Sequence, residues 1–331
     1  MKKILSWFAC LFLVLALTSG SKVTTVFVIG DSTAAEKGNA KNNPERGWGM
    51  VLQGSFDDKI IVDNHAVNGR SSKSFIDEGR WQKVLDQLKP GDYVFIQFGH
   101  NDEKPHADRH TDPGSTFDAN LERFVKETRV KGGIPVLFNS VVRRCFYQAP
   151  VENDDDEKLR KTTFAGEEKI NSDTLIDTHG AYVVAPRNVA YRLNVPFVDA
   201  TKITHDIETE LGIEGSRKLH MWFRPGECSQ IPKGRQDNTH YNVYGARLVA
   251  NALADEIGKQ VPELKKHVRH YDYVVSTRGR GNYFTLQNAV DAVPAGKRVK
   301  VLVLDGSWKK PENMKGKKIK FILQFGAKIT D

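Results

Sequence analysis

The chain has 331 residues, 39% hydrophobic and 27% charged, a globular composition with enough apolar content for one large domain or two modest ones. Its formal charge of +8 draws it toward polyanions, with nucleic acid, acidic polysaccharide and anionic surfaces all qualifying, but no dense run of lysines and arginines interleaves with aromatics, so charge alone does not argue for nucleic acid, and a solvated basic surface accounts for it equally. Three cysteines with no CxxC spacing exclude a thiolate metal centre.

Lys2 and Lys3 precede an apolar stretch from Trp7 to Leu17, and small polar residues follow from Thr18 to Ser21. A charged start, an apolar centre and a small-residue end make a secretory signal, with cleavage expected near Gly20. Residues 1–20 are assigned to it, and Cys10 leaves with them. The apolar stretch is too short for a comfortable membrane span, and no later stretch is apolar enough to cross a bilayer. The mature chain is expected to be exported, periplasmic or extracellular, monomeric, and without stable membrane insertion.

Short continuous apolar runs then recur: "VTTVFVIG" ending at Gly30, "KIIVDNHAVNG" from Lys59, "DYVFIQFGHND" from Asp92, "IPVLFNSVV" from Ile134 and "VPFVDA" from Val195. Continuous rather than alternating patterns suit strands covered on both faces. Between them lie helically spaced apolar sets, Trp81-Val84-Leu85-Leu88, Phe117-Leu121-Phe124-Val125 and a stretch from Ala185 to Leu193, and later the long amphipathic "NVYGARLVANALADEIGKQ". This alternation predicts an α/β domain over residues 21–262, doubly wound around a flavodoxin-like parallel sheet of five strands. The acidic "VENDDDEK" lacks the glycine and final glutamate of a calcium loop and reads as a solvated loop. Residues 263–331 form a linker, a short helix and basic-flanked strands, with too few apolar clusters for a secure core of their own. Two outcomes are open, a mobile stub that the preceding domain does not need or docking on that domain through "KVLVL" and "KFILQF", and the stub is favoured.

Four strand ends or helix approaches carry polar groups: Asp31-Ser32, Gly69 in "NHAVNGRSS", Asn101-Asp102 in "FGHND", and Asp237 with His240 in "DNTHYNVYG". Acyl transfer needs these residue types. A serine hydroxyl is a weak nucleophile and requires a base. His240 can take its proton and return it to the leaving alcohol. Asp237, three residues earlier, can hold the imidazole in the right tautomer. The amides of Ser32 and Gly69 and the side chain of Asn101 would stabilise the tetrahedral oxyanion. Glycine at 69 permits close backbone approach.

The blocks "GDST", "NGRSS", "GHND" and "DNTH", in this order, resemble those of the SGNH hydrolases, also called the GDSL esterase family, over roughly Val23 to Gln260. The longer patterns "GDSTAAEKG", "RGWG", "FIQFGHND" and "DNTHYNVYGA" are most similar to the rhamnogalacturonan acetylesterases, secreted enzymes that remove acetyl groups from pectin. The resemblance puts the nucleophile on Ser32, the acid and base on Asp237 and His240, and the oxyanion donors on Ser32, Gly69 and Asn101, with no cofactor. It implies acetylated acidic polysaccharide as substrate. Thr33 stands where the eponymous motif has leucine, a variation that fits the pectin-directed branch. The tail from "YVVSTRGRGNYFTLQNAVDAVP" to "KKIKFIL" resembles the opening of a pectin methylesterase, a right-handed parallel β-helix, without that family's catalytic residues.

Other residues compete for roles. Trp48, Arg70 and Arg46 flank the catalytic blocks and could bind sugar or uronate, although Trp48 could equally pack under the Ser32 turn. Asp31 is expected to fix that turn through backbone amides. His100, His106 and His110 lie near Asp102 and Asp108, but at spacings that match no metal site, so none is assigned. Cys145 and Cys228 could pair in an oxidising compartment, a matter that spacing leaves open. Another acyl hydrolase, acting on acetylated xylan or a lysophospholipid, would use the same machinery. A non-catalytic pectin-binding protein would have no use for an Asp-x-x-His pair facing a serine.

Overall fold

The structure, a computed structural model, describes residues 23–146, 161, 163–168 and 170–331; the proposed secretory segment and the acidic run "VENDDDEK" lie outside them. In chain order the elements are β1 (Thr24–Gly30), β2 (Glu45–Arg46), α1 (Trp48–Val51), β3 (Ile60–Asn64), α2 (Ser72–Asp77), α3 (Arg80–Leu85), β4 (Tyr93–Gln97), α4 (Thr116–Val130), β5 (Ile134–Phe138), α5 (Ala181–Leu193), β6 (Phe197–Val198), α6 (Ala200–Arg217), β7 (His220–Phe223), β8 (Arg235–Asn242) and α7 (Val243–Gln260). A short α8 (Pro262–Lys265) leads to β9 (Tyr273–Val275), α9 (Leu286–Asp291), β10 (Arg298–Val303), β11 (Ser307–Lys309), β12 (Lys318–Leu323) and β13 (Lys328–Thr330).

Five strands form the parallel central sheet in the order β3-β1-β4-β5-β6. Alternation along β1 explains the layers. Val26 and Val28 point to a core shared with Trp48, Leu52 and the α7 residues Val249, Leu253 and Ile257. Phe27 and Ile29 point the other way, onto Phe75, Trp81, Phe124 and Val189 from helices α2 to α5. With both faces covered, β1, β4 and β5 have no polar side, hence their continuous apolar runs, whereas the edge strand β3 leaves Ile61 exposed. The carboxyl ends of β1 and β4, and the segment after β3, carry the polar blocks, as open α/β sheets place their ligand sites.

A second sheet was not foreseen. Strands β2, β8 and β7 pair antiparallel beside the main sheet. Its sequences, "ER", "RQDNTHYN" and "HMWF", are short or polar, so no period marks them.

The C-terminal segment departs from expectation. Strands β12, β10 and β9 pair in parallel, as do β11 and β13. Val275, Leu286, Val293, Val299, Val301 and Val303 build a core of its own beneath α9. It is also docked on the preceding domain. Val268 bridges Phe56, Arg269 N–H donates to Ser55 O at 2.9 Å, and Gln324 Nε2 donates to Phe56 O at 3.1 Å. Arg280 pairs with Glu36 at 3.1 Å. The opposite face of its sheet buries Tyr271, Val274, Leu302 and Leu304. The loose-fragment expectation is thereby corrected: apolar residues of alternating parity along β10 serve two cores at once.

Candidate active site

The turn after β1 is built by Asp31. Its Oδ1 accepts from Thr33 N–H at 2.9 Å and Thr33 Oγ1 at 2.7 Å, and its Oδ2 accepts from Gln97 Nε2 at 3.1 Å. Gln97 Oε1 in turn accepts from Trp48 Nε1 at 3.2 Å. Trp48 is wholly buried, stacked 5.7 Å from Phe138. This corrects its candidacy as a sugar-binding residue, since a side chain sealed in the core has no face left for substrate. Arg46 is corrected likewise: it is 1% exposed and its Nε donates to Gly279 O at 2.8 Å, clamping the C-terminal segment. Arg70 remains on the surface, its guanidinium 3.1 Å from Glu78 and bonded to Asn68 O at 2.9 Å.

Strand β8 supplies the next two groups through a bulge. Its register against β7 jumps from Tyr241, opposite His220, to Asp237, opposite Met221, leaving Asn238, Thr239 and His240 unpaired with β7. A bulge re-aims side chains, and Asp237 shapes this one. Its Oδ1 accepts from the backbone N–H groups of Thr239 and His240, both at 3.0 Å. Its Oδ2 lies 2.7 Å from His240 Nδ1, and His240 Nε2 lies 2.9 Å from Ser32 Oγ. With Nδ1 donating to the carboxylate, Nε2 is left to accept the serine proton. Burial pushes the Asp237 carboxyl up, but the adjacent His240 and its hydrogen bonds outweigh that and hold it below its usual value. Arg144 supports the bulge from outside, its NH1 3.0 Å from Asn238 Oδ1 and 2.6 Å from Glu168.

Gly69 has φ +73°, a left-handed backbone that favours glycine. Asn101 is fully buried and its Nδ2 donates to Arg70 O at 3.3 Å, which sets it against the Gly69–Arg70 segment. Asp102 ties these two blocks together. It accepts from Ser72 N–H (3.0 Å) and Ser72 Oγ (2.5 Å) at the start of α2, from Gly99 N–H (3.1 Å), and from Thr111 Oγ1 (2.8 Å). Burial pushes its carboxyl up to about 7 against the pull of Ser72 and Thr111. Gly99 lets the turn form: its φ is +143°, and a Cβ there would lie 2.3 Å from Ser140 Oγ.

Lys37 carried no signal in the sequence. It is 6% exposed, and its Nζ lies 2.5 Å from Ser32 O, 2.7 Å from Asn68 Oδ1 and 2.8 Å from Glu45 Oε1. One ammonium thus joins the serine turn, the Gly69 segment and β2, which pairs with the histidine strand. Gln97 was missed too, although a lone polar residue inside "YVFIQF" was a usable sign.

Among the described residues, no group of three or more His, Cys, Asp or Glu is arranged to hold a metal. His110 bonds Lys104 O and Asp112, and His100 packs edge-on against His179. Cys145 and Cys228 are both buried and are not bridged to each other.

Comparison with known proteins adds to this geometry. The family model described as "GDSL-like Lipase/Acylhydrolase family" matches residues 28–248. Rhamnogalacturonan acetylesterase RhgT of Bacillus subtilis (strain 168) is 36% identical over 247 residues, 75% of this chain and 95% of that protein. The rhamnogalacturonan acetylesterase of Emericella nidulans is 28% identical over 248 residues, 72% of this chain and 86% of that protein. The crystal structure of protein YxiM from Bacillus subtilis shares the fold with a TM-score of 0.55 at 21% identity, covering 72% of this chain and 56% of that one.

Proposed function

The chain belongs to the GDSL-like lipase/acylhydrolase family and is a carboxylic ester hydrolase, and from that premise we propose that it removes O-acetyl groups from pectin, on the rhamnogalacturonan backbone, through an acyl-enzyme on Ser32. The observation that carries the mechanism is the unbroken line Asp237–His240–Ser32, with links of 2.7 and 2.9 Å. Ser32 Oγ attacks the acetyl carbonyl as His240 Nε2 takes its proton. The carbonyl π electrons move to oxygen, and the oxyanion is met by the amides of Ser32 and Gly69 and by Asn101 Nδ2. Collapse expels the sugar alkoxide, which takes the proton from His240. Water, deprotonated by the same imidazole, then releases acetate and restores Ser32. Each step uses the chain's own groups and water.

The substrate rests on the named relatives. Arg70, on the surface beside Gly69, is the candidate for a substrate carboxylate. Export by the N-terminal segment and a monomeric state complete the reading. The all-parallel pairing of β9, β10 and β12 supports a β-helix-like origin for the C-terminal segment.

The test is acetate release from acetylated rhamnogalacturonan, acetylated xylan and a lysophospholipid, by the wild-type chain and by Ser32→Ala. The expected result is a preference for the first substrate, insensitive to chelators and lost in the variant. A preference for the lipid, or a Ser32→Ala protein with near-normal rate, overturns the reading.

A further inference from the structure

The positive charge of this protein is concentrated at one end. Residues 263–331 carry 15 Lys and Arg against 6 Asp and Glu, whereas residues 1–262 carry 34 against 35. Part of that excess is organised by the sheet. In the β10–β12 pairing Arg298 stands opposite Lys318, and Lys300 opposite Lys320. All four are exposed, while the intervening Val299 and Val301 are buried in the core beneath α9. Strand geometry puts neighbours about 4.8 Å apart across the strands and about 6.6 Å apart along them.

Ordinary structural needs explain only part of this ladder. Edge strands carry lysines to prevent edge-to-edge association, which covers Lys318 and Lys320 on β12. On β10, which β9 pairs only from Val301 to Val303, Arg298 lies beyond the end of β9, but Lys300 has its backbone taken on that side, its N–H donating to Asp272 Oδ2 at 2.8 Å and its O accepting from Asp272 N–H at 3.1 Å, so it has no edge to protect. Like charges directly opposite each other destabilise a sheet, and among the described residues none of the four forms an ion pair with an acidic side chain. Beside the ladder opens a crevice of about 370 Å³, where Lys300, Lys320 and Arg269 meet Tyr271 and Leu323. Of its acidic residues, Asp57 is taken up by Arg269 at 2.8 Å and His267 at 3.0 Å, and Asp58 also lines the crevice.

We propose that this face of β10 and β12, with the adjoining crevice, is a second binding surface for an extended acidic polysaccharide, separate from the catalytic site. Asp57 and Asp58 precede β3, at the end of the central sheet opposite the Ser32 turn. A polymer held there is anchored while another stretch of it meets the serine. The near-neutral catalytic half offers an acidic polymer little attraction of its own; the ladder supplies it. A polyuronate fits because its carboxylates recur once per sugar along an extended chain, a spacing comparable with that of the ladder. The choice of ligand rests on the pectin reading above; the site itself does not depend on catalysis.

The test is affinity electrophoresis of the full chain in gels containing de-esterified polygalacturonate, with neutral galactan as control. The comparison is with R298Q/K300Q/K318Q/K320Q and with the charge-preserving K300R/K318R/K320R. Wild type and the arginine variant should be retarded by polygalacturonate alone, more weakly as salt rises, and the glutamine variant should bind about tenfold more weakly or worse. All three should hydrolyse a small aryl acetate at the same rate, which certifies the fold. A folded glutamine variant that binds as tightly as wild type overturns the proposal. So does tighter binding to duplex DNA or to anionic lipid vesicles than to polygalacturonate. Binding without acetate release would sink the catalytic reading alone, and normal catalysis without binding would sink this one.

Discussion

At Ser32 the hydroxyl is an ordinary weak acid, and its neighbours set its reactivity. Replacing His240 by alanine should lower kcat on an aryl acetate by several orders of magnitude, as when one member of a cooperating set is lost. With Asn101 as the proposed oxyanion donor, Asn101→Ala should lower kcat roughly a hundred- to a thousand-fold with little change in KM, since such a donor acts on charge that exists only in the transition state; a rise in KM alone would make Asn101 a binding residue. Lys37 acts through others. Lys37→Met leaves Ser32 O, Asn68 and a buried Glu45 without their cation, so kcat should fall with KM nearly unchanged, and Lys37→Arg should recover part of it; an unchanged kcat in a folded Lys37→Met protein contradicts this role. Asp102 gives a pH signature. Its folded pKa of about 7 lies above the ordinary 3.8, so folding favours the protonated form; that contribution is fully present below pH 3.8 and is lost as pH rises through 7. Melting temperature should fall across that window and fall less in Asp102→Asn; parallel curves would show that Asp102 does not titrate there. Ser32, Asp237 and His240, which the structure brings within hydrogen-bond reach of one another, and the candidates Gly69 and Asn101 stand out in the sequence because each lies in a block of unusual polar residues beside an apolar run or before a helix. Lys37 and Glu45 were not, since a lysine and a glutamate in polar loops look like solvated surface until burial is known.

The elements divide along the same line. The inner strands β1, β4 and β5 were readable because both faces are covered, which makes their apolar runs continuous. The β2-β8-β7 sheet was not, since β8 reads "RQDNTHYN" and is held by backbone pairing and by Asp237 rather than by an apolar face. The sequence placed Asp237 and His240 together through one turn of chain before α7; the structure presents them from a bulged strand. In that bulge Asp237 does two jobs, so Asp237→Asn should lower kcat and also loosen residues 238–240, seen as faster amide exchange there. Unchanged exchange with reduced kcat would confine Asp237 to orienting the imidazole. Gly99 tests the neighbouring turn. A side chain there meets both a φ of +143° and Ser140 Oγ at 2.3 Å, so Gly99→Ala should cost about 1–3 kcal/mol in thermal unfolding. A neutral outcome would mean that this turn has room to relax.

For the whole molecule, the C-terminal segment is the part that sequence reading misjudged. Its apolar residues look too sparse in the sequence for a core of its own. In fact Val299, Val301 and Val303 face α9, while Leu302 and Leu304 are buried on the other face of the sheet. A chain ending at Val261 would lose the Gln324–Phe56, Arg46–Gly279 and Arg280–Glu36 contacts. It should melt at a lower temperature than the full chain while keeping its aryl acetate activity, since the Asp237–His240–Ser32 line is made within the preceding domain. An unchanged melting temperature would show that the docking contributes nothing to stability.

The central claim is that Ser32 carries the acyl group. Rapid acid quenching of the full chain during turnover of an aryl acetate, followed by proteolysis and mass spectrometry, tests it most directly. The expected result is one acetylated peptide, modified at Ser32 and absent from Ser32→Ala. An acetyl group on another residue, or steady turnover with unmodified Ser32 and an active Ser32→Ala protein, would contradict it.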